Sequence, residues 1–120
     1  MAYLSLEPFV PSGKDFGKAK QLFQELDFEI EWEGGDLVGF RNGNCRFILQ
    51  QYDNRAFAEN LMLSVKVSNI EEFWESVKRK NLSEKFDIPA IGEPTLQPYG
   101  KEVNVIDIAG VCWHFIEELY

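Results

Sequence analysis

One plan of elements runs through this chain twice, and that repetition constrains its fold more than any other feature. Residues 4–10 read as a strand broken by Pro8, which has no N–H to give a ladder and so belongs at an edge or a bend. Ser12 with Asp15 three places on predicts a capping-box helix start, and Phe16, Ala19, Phe23 and Leu26 follow at helical spacing. Three strand patterns come next, over 28–32, 37–40 and 45–52, with Gly34-Gly35 and Asn42-Gly43 as the turns between them. Strict alternation places Phe28, Ile30 and Trp32 on one face. After a linker over 53–60 the plan returns. Residues 61–67 read as a strand, and Ser68 with Glu71 predicts a second capping box. Ile70, Phe73, Trp74 and Val77 form the next apolar stripe, and Lys78, Arg79 and Lys80 suit the negative end of that helix. A loop over 81–89 then leads to strands over 90–96, 102–106 and 111–117.

The expected order is βαβββ twice, within one α+β domain over 1–120, as modules of about 1–53 and 60–120. Each helix needs a sheet to bury its stripe. Two modules side by side would make a curved mixed sheet with a concave cleft. The same elements could also form an unduplicated α+β sandwich.

Composition narrows the partners. Hydrophobic residues make up 45 % of the chain and aromatics 14 %, enough for a packed core. The formal charge is −8, which repels phosphate backbones and anionic membranes, so nucleic acid and membrane partners are not expected. That charge would draw cationic small molecules, although acidity can also serve solubility alone. No long apolar run and no leader pattern are seen, which predicts a cytoplasmic protein. Cys45 and Cys112 lie in strand patterns and read as free thiols.

Several stretches resemble the bleomycin-resistance proteins of the vicinal-oxygen-chelate superfamily. They are Pro8-Phe9-Val10-Pro11-Ser12 running into Asp15-Phe16, the helix exit Phe23 to Phe28, the entry to the second helix over 65–73, and Pro98-Tyr99-Gly100 ahead of Asp107 and Gly110. The pattern departs at Asp27, where the family has Gly, and at Ile108-Ala109, inside an Asp-Pro-Asp-Gly turn. The resemblance implies the glyoxalase/bleomycin-resistance fold. It also implies a homodimer with an exchanged N-terminal strand and clefts at the subunit interface.

The superfamily's enzymes hold a divalent metal on His and Glu side chains from the first and last strands of each half. The matching positions here are Glu7 or Pro8, Gln50, Met62 and His114, the only histidine. Neutral amide and thioether are weak ligands for such ions, so no metal and no cofactor are expected. His114 alternates with Trp113 and Phe115. It points into the hollow if they pack under the helix, or else it is satisfied by a neighbour in the sheet. No Ser-His-Asp or Cys-His arrangement and no phosphate loop can be assembled.

The candidate ligand-binding residues are Trp32, Phe40, Arg46, Gln50, Phe57, Met62, Tyr99, Glu102 and His114. Phe47 and Trp113 are further candidate walls. Aromatic walls with acids beside them suit a planar cation, whereas Arg46 in the hollow would favour an anion, so the ligand's sign stays open. The expected function is metal-free binding of the bleomycin-resistance type, which sequesters a hydrophobic or cationic ligand, as in antibiotic resistance. The alternatives are a glyoxalase-like lyase or isomerase, or a dioxygenase, using a divalent metal, and a structural dimer with a filled hollow.

Overall fold

The computed structural model describes residues 1–119. The first half contains β1 (Phe9–Pro11), α1 (Phe16–Glu25), β2 (Glu29–Gly34), β3 (Leu37–Asn42) and β4 (Cys45–Gln50). A short helix, α2 (Arg55–Asn60), bridges to β5 (Met62–Lys66), α3 (Ile70–Lys80), α4 (Leu82–Phe86), β6 (Thr95–Gln97), β7 (Gly100–Ile106) and β8 (Cys112–Glu118). The strands form two four-stranded mixed sheets, in the orders β1-β4-β3-β2 and β5-β8-β7-β6. In each, the first strand runs parallel to the last and the other pairs are antiparallel. The βαβββ plan and its repetition are therefore those expected, but the ladders close within each half instead of joining into one sheet.

The core lies between the helices and the inner faces of the sheets. Phe23 of α1 sits 4.9 Å from Phe47, 5.8 Å from Phe40 and 5.2 Å from Trp113, ring centre to ring centre. Trp113 belongs to the second half, yet it also meets Phe28 at 5.9 Å and Phe47 at 5.0 Å. One indole thus joins the two halves. Each of these buried aromatics contributes roughly 1.5–3 kcal/mol by leaving water. In the second half Phe73 of α3 stacks on Phe115 at 4.2 Å.

The helix starts differ from those expected. Asp15 caps α1 by accepting the Lys18 N–H at 3.0 Å. Ser12 is buried, and its hydroxyl donates to the Gly13 carbonyl and accepts the Tyr52 N–H. At α3 the cap is Asn69, which accepts the Glu72 N–H at 3.1 Å, rather than Ser68. Asp and Asn cap as well as Ser, and each stands directly before the first apolar residue that packs. The expected linker contains α2, capped by Asn54, and the expected loop contains α4. Both helices are too short to display a full apolar period.

Two strands shrink. β1 begins only at Phe9: the Pro8 carbonyl accepts the Ile48 N–H of β4 at 2.9 Å, and residues 4–7 pair with no strand among the described residues. Met1, Tyr3, Leu4 and Leu6 of this arm are almost wholly exposed. β6 covers 95–97 instead of 90–96. On β2 the register shifts between Ile30 and Trp32. This bulge breaks the expected alternation: Phe28 and Ile30 pack inward, and Trp32 turns to the other face. No helix among the described residues is long and apolar enough to cross a membrane.

Candidate ligand-binding site

Register divides each sheet into a helix face and an open face, because side chains alternate along a strand and paired residues point the same way. Phe40 pairs with Phe47, and both rings reach Phe23 of α1, so that side of the first sheet is the helix face. Its open face then carries Phe9, Ile48, Arg46, Gln50, Leu37, Gly39 and Arg41. Trp32, paired with Gly39, joins them through the bulge. In the second sheet Phe115 faces α3, so the open face carries Met62, Ser64, Cys112, His114, Asn104 and Glu102.

Most of the candidate residues fall on these open faces. Trp32 is 41 % exposed and Met62 67 % exposed. Gln50 is half-buried between Leu37 and Pro11. Arg46 reaches Glu31 through Nε at 3.2 Å and Nη2 at 3.4 Å, and Arg41 approaches the same carboxylate at 3.8 Å. Glu31 therefore already neutralises Arg46. Phe57 stands on α2, outside both sheets, with its ring 6.2 Å from Tyr52. Phe40 is fully buried under α1, and Phe47 and Trp113 are buried with it. Parity puts all three on the helix side: Phe40 is a core residue, and Phe47 and Trp113 reach a depression only at the junction of the halves.

The second sheet gathers the polar groups. Glu102 is buried, and its Oε1 accepts the Tyr99 hydroxyl at 2.8 Å. That hydrogen bond, with burial and the like charge behind it, pushes the Tyr99 phenol above its usual range. His114 Nδ1 lies 3.4 Å from the same oxygen, an electrostatic contact longer than a well-formed hydrogen bond. His114 Nε2 is shut off from water and has no hydrogen-bond partner among the described residues. Leaving such an atom unpaired costs about 1–3 kcal/mol. A proton on Nδ1, facing Glu102, would leave Nε2 as an acceptor.

Nothing here makes a strong nucleophile. Burial, with Glu102 and Asp107 adding, pushes the Cys112 thiol up. Ser64 pairs with His114 in register, yet it makes no hydrogen bond to Nε2, so no Ser–His relay is set up there. Alternation alone could have found Ser64, Asn104 and Cys112. Gly39 could not have been found, because the bulge that carries Trp32 onto it left no sequence signal.

The residues do not fit a divalent metal. Among the described residues no three His, Cys, Asp or Glu side chains converge. Glu7 accepts a hydrogen bond from Ser5 on the exposed arm, and the positions matching the enzymes' other ligands are Gln50 and Met62. His114 has only Glu102 beside it.

Two depressions, of about 390 and 210 Å³, lie along the junction of the halves. Neither is lined by Trp32, Tyr99 or His114. The smaller is bordered by Leu6 and Pro8 of the arm, by Leu63, Ser64 and Val65 of β5, and by Trp113. β5 is an edge strand, so one side of its backbone is open there.

No protein-family profile matches the sequence, and no curated protein matches it. Solved structures do. The chain is similar to the bleomycin-binding protein of bleomycin-producing Streptomyces verticillus, complexed with copper(II)-bleomycin, with a TM-score of 0.77 and 23 % identity over 98 % of each chain. It is also similar to the bleomycin resistance determinant encoded on transposon Tn5, with a TM-score of 0.79 and 17 % identity over 97 % of this chain and 98 % of that one. A third is the fosfomycin resistance protein FosX of Listeria monocytogenes, complexed with Mn(II) and sulfate, with a TM-score of 0.72 and 12 % identity over 98 % of this chain and 92 % of that one. At these identities the likeness establishes the fold alone, the one shared by the bleomycin-binding proteins and FosX.

Proposed function

We propose that this chain is a metal-free binding protein that sequesters a hydrophobic or cationic small molecule, in the manner of the bleomycin-binding proteins whose fold it shares. The carrying observation is the make-up of the open faces. They offer an exposed indole at Trp32 and the Tyr99–Glu102 pair, and among the described residues no set of metal donors. Such a surface can stack a flat group and take hydrogen bonds from it. Glu31 is shared by Arg46 and Arg41 on the first sheet, whereas Glu102 supplies a carboxylate beside Tyr99 on the second, so a cationic group finds its match at the second sheet.

The cleft is completed by a second copy of the chain. Neither depression at the junction of the halves brings Trp32, Tyr99 and His114 together. The exposed arm, with Tyr3, Leu4 and Leu6 bare, has its natural place on the partner, against the open edge of β5. Resistance to an antibiotic in the cytoplasm would follow from lowering its free concentration. The competing reading, a glyoxalase-like lyase or isomerase or a dioxygenase, draws support from FosX, which carries Mn(II) on this fold.

Thermal unfolding with metal-free bleomycin, in the presence and absence of a chelator, tests the proposal. A ligand of the native state at a hundred times its Kd stabilises by about 2.7 kcal/mol. An upward shift in Tm that the chelator leaves intact is the expected result. A shift produced by divalent metal alone, with no bleomycin present, would support the enzyme reading.

A further inference from the structure

The first sheet holds Trp32 in a way that gives a second residue a role in binding. Trp32 pairs across the ladder with Gly39, on the face away from α1. A Cβ built on Gly39 would lie 2.0 Å from Trp32 Nε1 and 2.5 Å from both Cδ1 and Cε2. The five-membered ring therefore occupies the space a side chain would need. The six-membered ring reaches back over Gly34, with Cζ3 3.9 Å from where that residue's Cβ would be. The indole thus lies along the sheet across two positions that have no side chain. The bulge before Trp32 turns it to this face, and Arg46 and Arg41 hold Glu31 at the bulge.

We propose that Gly39 is a positioning residue for ligand binding: its missing side chain seats the Trp32 indole flat against the open face, with the outer ring face presented before any ligand arrives. This rests on the open faces being the binding surface. No backbone strain enters, because Gly39 does not have a positive φ; the requirement is space alone. A ring fixed in advance loses less freedom on binding than one that must find its place, so the seat raises affinity for a flat unsaturated group without touching it. A Cβ at position 39 would lift the ring, since the atoms it meets belong to a rigid indole and not to a flexible chain end.

An aromatic ring laid over a strand glycine can also serve sheet stability alone. The two roles separate in a paired experiment. In proton NMR of the wild-type protein, the Gly39 Hα resonances should be displaced upfield by the indole ring current, and Trp32→Ala should return them to ordinary positions. Affinity for metal-free bleomycin is then measured for Gly39→Ala, Trp32→Ala and the double variant. Each single change should weaken binding about ten-fold, and the double variant should bind no worse than Trp32→Ala. Ordinary Gly39 Hα shifts in the wild type would overturn the proposal. So would a Gly39→Ala protein that melts earlier but keeps wild-type affinity, because the seat would then be structural only. If Gly39→Ala does not fold, or if the wild type does not bind bleomycin, the wild-type and Trp32→Ala proton shifts decide the seating by themselves. The second case counts against the sequestering function and not against the seat.

Discussion

Asp107 shows how one side chain can serve the fold and still cost it stability. Its carboxylate is buried, and it accepts the Gly110 and Val111 N–H groups and the Trp113 indole N–H. Those bonds hold in place the indole that joins the halves. Burial nonetheless outweighs them and lifts the carboxyl from its ordinary 3.8 to about 6. A group raised in the folded state binds its proton more tightly there than in the unfolded chain. Its stabilisation is complete below about pH 3.8 and is lost as pH rises through about 6. Two units correspond to about 3 kcal/mol. Relative to Asp107→Asn, the wild type should therefore gain up to about that much on going from pH 7 to pH 4, in urea unfolding at each pH. Parallel pH profiles for the two proteins would contradict this. The turn of Asp107 and Gly110 was legible as sequence. The burial that perturbs its proton was not, because it depends on which residues close over the turn. Phe40 taught the same lesson in reverse. Its aromatic character suited a cleft wall, and only strand register placed it under α1.

At the scale of elements, the repeated plan was legible because two apolar stripes at helical spacing each follow a strand and precede three more. The caps were misplaced by one to three residues, since Ser, Asp and Asn all satisfy an orphan N–H and only packing decides where a helix begins. The two candidates at α3 can be told apart. Asn69→Ala should destabilise by about 1 kcal/mol in chemical denaturation, and exposed Ser68→Ala by a few tenths. Equal effects would restore Ser68 as the cap. The bulge in β2 left no trace in the sequence, and with it went the true face of Trp32. The arm was read as a strand because its composition is that of one. Among the described residues only its end, from Pro8 onward, meets a strand, and residues 4–7 form none.

At the scale of the whole molecule, the proposed two-fold dimer would set the exposed arm against the open edge of β5. Light scattering at micromolar concentration should report a dimer. Burying Tyr3, Leu4 and Leu6 is worth roughly 1.5–3 kcal/mol for each side chain. Deletion of residues 1–7 should then weaken dimerisation by at least about a hundred-fold and lower ligand affinity with it. A wild-type monomer would remove the completed cleft. Capture without chemistry is tested most directly by equilibrium dialysis of metal-free bleomycin against chelator-treated protein, with mass spectrometry of the ligand recovered after denaturation. Saturable retention with every molecule returned at its original mass is the predicted result. No saturable retention, or a ligand returned chemically altered, would contradict it.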